Sequence, residues 1–383
     1  MPIPSEYVGR EQAFHKHWIY RTYMERLVMI IGRTKTNVIN FVDTCAGPWI
    51  DEAGDLSDTS IGIALETLEK CASALKKQFN PNVKIRILFI EKDAKAYSRL
   101  KPFIDSYQNE DVEAYSFPVD FTEKKSEIID WTQGQFTFFF IDPKGYARIV
   151  DSETLAPLLA LPNTEFLINF MYDFLNRFVE VEGQEDNMKA LFGQIPLVEG
   201  LGPEERNQLL LNLYKGRMRA AYSGRVTHVD ILKPGVNKVL YHLVYLTRNA
   251  IGLNTFKESA EKMLEVQSIT QVEVKLRNQV KKSETPDLFG EQIQIPSSAL
   301  EDNRMQAKKV LLERLQLGPV LFCWENWANL LEYSGLFPRD FQMAMKELYE
   351  DHAVNCQGVD VSRRRTKFIQ PNYENKAEKW LLK

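Results

Sequence analysis

The fold of this chain is decided by one stretch, Asn40-Phe41-Val42-Asp43-Thr44-Cys45-Ala46-Gly47-Pro48. The apolar run from Val38 to Val42 predicts a short buried parallel strand. That strand ends on the acid Asp43, and a turn of small residues containing Gly47 follows it. A nucleotide site in a doubly wound α/β domain opens in this way, because small residues let the ligand approach the backbone.

Six further segments predict strands, and most of them alternate with helical segments. They are residues 83–90, 112–117, 135–141, 165–170, 225–233 and 239–247. The alternation predicts a Rossmann-like, mostly parallel sheet with right-handed crossovers. The last two segments flank Pro234-Gly235-Val236-Asn237, which predicts a hairpin and hence an antiparallel last strand. The apolar segment 135–141 is expected to be central.

Four acids stand at successive strand ends: Asp43, Glu91, Asp120 and Asp142. The carboxyl ends of parallel strands meet at one edge of a sheet, so these acids indicate a single ligand-binding edge. The alternative for each acid is that it caps the helix that follows, whose N-terminus favours an anion.

An adenosyl ligand lying across this edge would use the acids in a definite order. Glu91 would accept from the ribose hydroxyls, Asp120 would accept from the adenine amino group, and Phe121 would cover the ring. The amino-acid part of S-adenosylmethionine would lie over the turn from Asp43 through Ala46 to Gly47.

The fourth strand end carries Asp142-Pro143-Lys144-Gly145-Tyr146. An acid followed by Pro and an aromatic ring can hold an amino group while a base stacks on the ring, after the base has left its helical stack. Asp142, Pro143 and Tyr146 are therefore the predicted catalytic residues. The alternative is a rigid Pro turn beside a core aromatic residue.

One helix, residues 12–32, precedes the first strand. It is amphipathic and carries Lys16, Arg21 and Arg26. Packing of this helix on the sheet is the main expectation, and the alternative places its basic residues near the ligand.

The composition shifts near residue 267, which predicts a domain of residues 1–268 closed by a helix over 254–266. A linker over 269–298 and a second domain over 299–383 follow. Three short helices and a small hairpin, with a strand over 363–369, predict a winged helix. Its basic tip, with Arg363, Arg364, Arg365 and Lys367, is expected to contact nucleic-acid phosphates. The alternative is a protein-binding module.

The composition of the 383 residues further narrows the class of protein and the kinds of site it can contain. Four scattered cysteines form no C-x-x-C pair and five histidines show no ligand spacing on a helix, so no metal site is predicted. The formal net charge is −4, no apolar run approaches the roughly 20 residues that span a bilayer, and the N-terminus shows no signal pattern. A cytoplasmic protein without a membrane partner is expected.

The chain resembles the three-Cys-motif partner protein family (TcmP). The resemblance rests on the stretch Asp43 to Pro48, on Ser60-Ile61-Gly62, on Ile90-Glu91-Lys92-Asp93, on Ile141 to Gly145 and on Ile168-Asn169-Phe170-Met171. It implies a class I S-adenosylmethionine-dependent methyltransferase-like domain with a C-terminal winged helix, and a separate radical iron–sulfur protein as partner.

Two positions depart from the family pattern. Trp49 stands where the turn usually has a second Gly, and Lys144 stands where an amino-methyltransferase motif has a second Pro. A bulky ring at the turn opposes close approach of a cofactor. The leading hypothesis is a methyltransferase-like enzyme acting on nucleic acid together with the iron–sulfur partner. The alternative is a catalytically inactive scaffold that binds nucleotide, nucleic acid or that partner.

Overall fold

The structure is a computed structural model that describes residues 3–34, 36–47, 56, 59–143, 145, 148–283, 297–333 and 335–383. The chain divides into two compact units, Met1–Arg248 and Asn249–Lys383. Within the described ranges, no helix combines the length and the apolar character needed to cross a membrane.

The first unit is built on a seven-stranded sheet in the order β3-β2-β1-β4-β5-β7-β6. All neighbouring strands are parallel except those that pair with β7, which is antiparallel to both β5 and β6. The predicted parallel sheet and antiparallel last strand are confirmed, and β7 lies inside the sheet rather than at its edge. The strands are β1 Val38–Asp43, β2 Lys84–Ile90, β3 Val112–Phe117, β4 Phe136–Ile141, β5 Thr164–Phe170, β6 Arg225–Leu232 and β7 Val239–Thr247.

The helices of this unit are α1 Glu11–Gly32, α2 Ser60–Gln78, α3 Ala94–Ser106, α4 Lys125–Thr132, α5 Ser152–Leu159, α6 Tyr172–Phe178, α7 Glu185–Phe192 and α8 Pro203–Tyr222. The helical region that follows β5 is therefore three helices. Gly193 ends α7 in the left-handed conformation with φ of 75°, which glycine adopts without steric cost. Pro203 opens α8, where its missing N–H is not needed.

The central strand β4 shows how both faces of the sheet are covered. Phe139 stacks on Phe166 of β5 with ring centroids 5.0 Å apart, on the face that helices α5, α7 and α8 bury. Its neighbour Phe140 contacts Tyr20 of α1 on the opposite face. Successive strand residues point to opposite faces, so an uninterrupted run of phenylalanines is buried only in a strand covered on both sides.

The second unit contains four helices and three short strands within its described residues. They are α9 Ala250–Ser283, α10 Ser297–Gln316, β8 Val320–Leu321, α11 Trp324–Leu331, α12 Pro338–Glu350, β9 Val354–Cys356 and β10 Lys379–Leu382. The strands form an antiparallel sheet in the order β8-β10-β9.

The predicted strand over residues 363–369 is wrong. The last strand is β10, and between β9 and β10 the chain forms turns, one isolated bridge at Asn372 and a short 3-10 helix, Glu374–Lys376. Gln342 of α12 explains this locally, because its side chain donates to the carbonyl of Ile369 at 2.7 Å and accepts from the N–H of Ile369 at 2.8 Å. A side chain thus takes the place of a partner strand.

The division between the units falls between Arg248 and Asn249, ahead of the predicted boundary at 268. Helix α9 is continuous from Ala250 to Ser283, so it extends past the predicted closing helix and through the start of the predicted linker. Contacts of α9 with other elements of the second unit explain why this helix belongs to that unit. The indole N–H of Trp327 donates to Asn254 Oδ1 at 2.8 Å, and Arg339 pairs with Glu265 at 2.8 Å. Residues 284–296 of the predicted linker lie outside the described residues.

Candidate functional site

Three of the four strand-end acids hold the turn that follows their own strand. Each carboxylate accepts from the backbone N–H two residues later. Asp43 accepts from Cys45 at 3.1 Å, Glu91 accepts from Asp93 at 2.7 Å, and Asp120 accepts from Thr122 at 3.0 Å. Because β1, β2 and β3 are parallel neighbours, the three turns that these bonds hold lie at the same edge of the sheet.

The helices that follow these strands are not capped by the four acids. Thr59 accepts from the N–H of Gly62 at the start of α2, and Asp93 accepts from Ala96 at the start of α3. Asp151 accepts from Thr154 at the start of α5, while α4 begins without a side-chain cap. Other residues therefore perform the capping that was the alternative explanation for the acids.

A cavity of about 220 Å³ lies at the ends of β1, β2 and β3. Of the predicted cofactor-binding residues, it is lined by Gly47, Glu91, Asp120 and Phe121. Asp43 and Ala46 do not line it; both are fully buried, and the N–H of Ala46 donates to the carbonyl of Ile90 at 2.8 Å. The remaining lining residues are Thr44, Cys45, Ile90, Lys92, Asp93, Val119, Pro143 and Ile149.

Position 47 requires glycine because the backbone there lies close to the carboxylate of Glu91. A Cβ atom at position 47 would lie 2.6 Å from Glu91 Oε2, well inside contact distance. Glu91 is 6% exposed, and its other oxygen is held by Asp93, so the carboxylate has little room to retreat. The small-residue turn predicted from the sequence therefore makes space for the acid of the next strand.

Asp120 stays ionised at the third strand end. Burial would raise the pKa of this carboxyl, but hydrogen bonds from Thr122 and Lys92 outweigh burial and lower it. Lys92 Nζ lies 2.9 Å from Asp120 Oδ2, and Lys92 also lines the cavity. A carboxylate has about four acceptor positions, so Asp120 can still accept from a ligand.

Both carboxylate oxygens of Asp142, the predicted catalytic acid, have a side-chain partner. Lys16 of α1 forms a short ion pair with Asp142 Oδ2, and Asn169 at the end of β5 donates to Oδ1 at 2.6 Å. Burial would raise the pKa of Asp142, but Lys16 and Asn169 lower it below the ordinary value. Asp142 is therefore an anion that already has a cation against it.

Lys16 and Asn169 are functional candidates that were not predicted as site residues. Lys16 of α1 reaches a strand end through its ion pair with Asp142, and the alternative placement of basic α1 residues near the ligand stays a prediction. Asn169 had a signal of its own, since it is a polar residue within an otherwise apolar strand end, Ile168-Asn169-Phe170. Asn169 is 4% exposed, and its Oδ1 has no hydrogen-bond partner within the described residues.

Asp43 lies deeper than the other acids. Its carboxylate accepts from Ser60 Oγ at 3.1 Å as well as from Cys45. Burial, reinforced by the charge of Asp142, raises the pKa of Asp43 to about 7. Nearby, the hydroxyl of Tyr20 is buried and has no partner within the described residues. The end of β1 thus holds a group that changes its charge near neutral pH.

Some predicted positions lie outside the described residues. These are Pro48 and Trp49 of the first turn, and Lys144 and Tyr146 after β4. The predicted catalytic role of Tyr146, and the predicted effect of Trp49 on the turn, therefore remain predictions. Pro143 is described and lines the cavity.

The basic residues of the second unit separate into two groups. The Arg364 guanidinium is held inside the unit, where it pairs with Glu378 and donates to the carbonyl of Phe368 at 2.8 Å. Arg363, Arg365 and Lys367 are exposed and form no ion pair within the described residues. Arg365 and Lys367 also line a cavity of about 1130 Å³ in this unit.

The cations of α12 and α10 beside that cavity are paired with acids. Arg339 pairs with Glu265 at 2.8 Å, and Lys346 pairs with Glu350 at 3.7 Å. Arg304 pairs with Glu347 at 3.0 Å. Besides the exposed cations between β9 and β10, Lys262 of α9 lines this cavity without an ion pair among the described residues.

Comparison with known proteins adds little. No family model matches the chain, and no curated protein matches it. One solved structure, titled "Loganic acid methyltransferase with SAH", is 14% identical over 96% of this chain and 93% of that chain, with a TM-score of 0.22. The sheet order and strand directions are those of a mostly parallel, Rossmann-like α/β sheet.

Proposed function

We propose that the first unit binds S-adenosylmethionine and is a methyltransferase-like domain. One observation carries the proposal: the ends of three neighbouring strands bring Gly47, Glu91, Asp120 and Phe121 to a single cavity. Glu91 and Asp120 are acceptors for ribose hydroxyls and an adenine amino group, and Phe121 offers an apolar surface for the ring. When bound, the cofactor would supply an activated methyl group.

The residues fit the charge of this cofactor. Its sulfonium and amino groups are cationic, and Glu91 and Asp120 place carboxylates in the cavity lining. The cavity of about 220 Å³ is below the roughly 300–1,000 Å³ of typical small-molecule sites, so the described residues form part of the site.

The test is calorimetric titration of S-adenosylmethionine and S-adenosylhomocysteine into the purified full-length protein. Saturable binding is expected, with affinity about ten- to a hundredfold weaker in Glu91→Gln, because a hydrogen bond to a charged group is worth roughly 1.5–3 kcal/mol. The matched control is Glu127→Gln on the exposed face of α4, which should bind as the unmodified protein does. Absence of binding at millimolar ligand would refute the proposal.

A second candidate function is a catalytically inactive scaffold. The ion pair of Lys16 with Asp142 favours it, because an acid already neutralised by a partly buried lysine cannot orient an acceptor until that lysine moves. Trp49 favours it too, on the sequence argument alone. Under this hypothesis Asp142→Ala leaves the cellular activity of the protein intact, whereas the enzyme hypothesis requires its loss.

For the second unit we infer a winged helix that contacts nucleic acid. Its support is the order of three helices and an antiparallel sheet, α10-β8-α11-α12-β9-β10, together with the unpaired cations between β9 and β10. Arg363, Arg365 and Lys367 are the residues proposed to contact phosphates. Arg364 is excluded from this role, since Glu378 neutralises it.

This proposal predicts a definite salt dependence. Replacing Arg363, Arg365 and Lys367 by Ala should weaken binding to short DNA and RNA probes and lower the slope of log K against log salt by about 2–3, because each phosphate contact contributes about 0.7–0.9. Replacing three exposed lysines of the first unit, Lys70, Lys77 and Lys101, removes the same charge and should leave the slope nearly unchanged. Equal effects of the two sets would mean that net charge alone governs binding.

The iron–sulfur partner remains a proposal from the sequence resemblance. Four cysteines without a described disulfide or ligand cluster agree with a cluster carried by another protein. Co-purification with a three-Cys-motif protein under anaerobic conditions tests it.

A further inference from the structure

The hairpin of β6 and β7 carries a group of ligand-type side chains away from the strand-end site. Asp230 and His242 are direct partners in the antiparallel pair. His228 precedes Asp230 by two residues, so its side chain lies on the same face of the sheet. His228 and His242 are buried, and Asp230 is partly exposed, with 36% of its side chain accessible.

The three side chains converge on one point. Asp230 Oδ1 lies 2.6 Å from His242 Nδ1 and 3.5 Å from His228 Nε2. One ligand atom from each residue can be chosen so that all lie within 4.8 Å of one another. Tetrahedral bonds of 2.0–2.2 Å to one ion hold ligand atoms about 3.4 Å apart, so the three side chains would have to close by up to about 1.4 Å on binding.

The surroundings of His242 define which of its nitrogens is free to coordinate. His242 Nε2 lies 2.8 Å from Asn207 Oδ1, and the ring is fully buried. With the amide oxygen accepting, Nε2 carries a proton, and Nδ1 lies 2.6 Å from the Asp230 carboxylate. A proton between Nδ1 and the carboxylate satisfies this contact, and a metal ion that binds at Nδ1 would displace it. An imidazole that donates its second N–H to a fixed acceptor is also the usual arrangement of a metal-bound histidine.

We propose that His228, Asp230 and His242 bind one divalent transition-metal ion. Two imidazoles and one carboxylate suit Zn²⁺, Co²⁺ or Fe²⁺ rather than Mg²⁺ or Ca²⁺, which prefer all-oxygen ligands. The exposed part of Asp230 provides the route by which the ion enters. Three protein ligands leave a coordination position for water.

Lys215 provides a further test of the proposal. Its Nζ lies 3.4 Å from His228 Nδ1, the nitrogen that does not face Asp230. Lys215 therefore does not occupy the position of the ion, but its positive charge opposes a second cation nearby. Removing this charge should strengthen metal binding. If the histidines served only as a hydrogen-bonded network, no metal would bind with or without Lys215.

The experiment uses untagged full-length protein that has been treated with a chelator. Co²⁺ is titrated and followed by its visible ligand-field absorption, and Zn²⁺ binding is measured by calorimetry. One ion per chain is expected. Asp230→Asn and His228→Gln should each weaken binding by at least about tenfold, and Lys215→Met should tighten it.

The matched control is His352→Asn. His352 is exposed in the second unit and has φ of 59°, a conformation that Asn tolerates, so the variant removes a histidine without straining the chain. Its metal affinity should be unchanged. The proposal is overturned if no ion binds stoichiometrically, or if Asp230→Asn and His228→Gln both bind as tightly as the control.

Discussion

At the scale of single residues, the strand ends show how burial and pairing give similar acids different properties. Asp142 has a depressed pKa because Lys16 and Asn169 outweigh its burial. Asp43, one strand away, has no ion-pair partner among the described residues, and burial raises its pKa to about 7. The same chemical group is therefore an anion at β4 and a titrating group at β1.

Asp43 should make the stability of the protein depend on pH. In the unfolded chain its pKa is 3.8, and in the folded chain it is about 7, so between these values the folded state binds more protons. The stabilising contribution is full below about pH 4 and is lost as pH rises to about 7, on the order of 4 kcal/mol in total. Asp43→Asn should remove this dependence.

The measurement is urea unfolding of the unmodified protein and of Asp43→Asn across this range. The difference in free energy of unfolding between the two should favour the unmodified protein progressively less as pH rises, and should level off above about pH 7. A difference that does not change with pH would show that Asp43 keeps an ordinary pKa.

At the scale of elements, α1 links the site to the core. It supplies Lys16 to Asp142, and its Tyr23 donates to the buried Glu165 of β5 at 2.6 Å. Its last residue, Gly32, packs against α2, where an added Cβ would lie 2.3 Å from Leu75 Cδ1. A helix predicted mainly as packing therefore also positions a charged site residue.

The contact at Gly32 predicts opposite effects for two glycine substitutions. Gly32→Ala should lower the free energy of unfolding by about 1–3 kcal/mol, because the new methyl group overpacks against Leu75. Gly216→Ala on α8 should raise it by about 0.5–1 kcal/mol, since nothing lies within 4 Å of its added Cβ and alanine loses less backbone entropy in a helix. Urea unfolding of both variants tests this, and a stabilising Gly32→Ala would contradict the described packing of α1 on α2.

At the scale of the whole molecule, the chain consists of two units whose boundary follows contacts rather than composition. Composition changes near residue 267, but α9 continues without a break to Ser283. Asn254, near the start of that helix, accepts from the buried indole of Trp327 in α11. The N-terminal half of α9 thus belongs with the helices that come after it in the chain.

Two fragments test this boundary. The fragment 249–383 should fold with its helices intact, whereas 269–383 lacks Asn254 and Glu265. An unsatisfied buried indole costs about 1–3 kcal/mol, so the shorter fragment should melt at least about 5 °C lower and show a more exposed Trp327. Circular dichroism and tryptophan fluorescence measure both effects. Equal melting temperatures would place the boundary at the composition change after all.

The order of strands and helices in the first unit, and the acids at the strand ends, followed from the sequence alone. Apolar runs such as Phe138-Phe139-Phe140 are local signals, because propensity and burial are properties of neighbouring residues. The turn of small residues around Gly47 was predicted as space for a ligand, and its close approach to Glu91 is seen only in the structure.

Only the tertiary structure decided which residues that lie far apart in sequence are in contact. Lys16 meets Asp142, Gln342 replaces a strand partner at Ile369, and Glu378 neutralises Arg364. His228, Asp230 and His242 form a ligand set only because β7 pairs with β6 in one register. A sequence shows which side chains are charged, but pairing and desolvation depend on distance in space, and only the folded chain sets that distance.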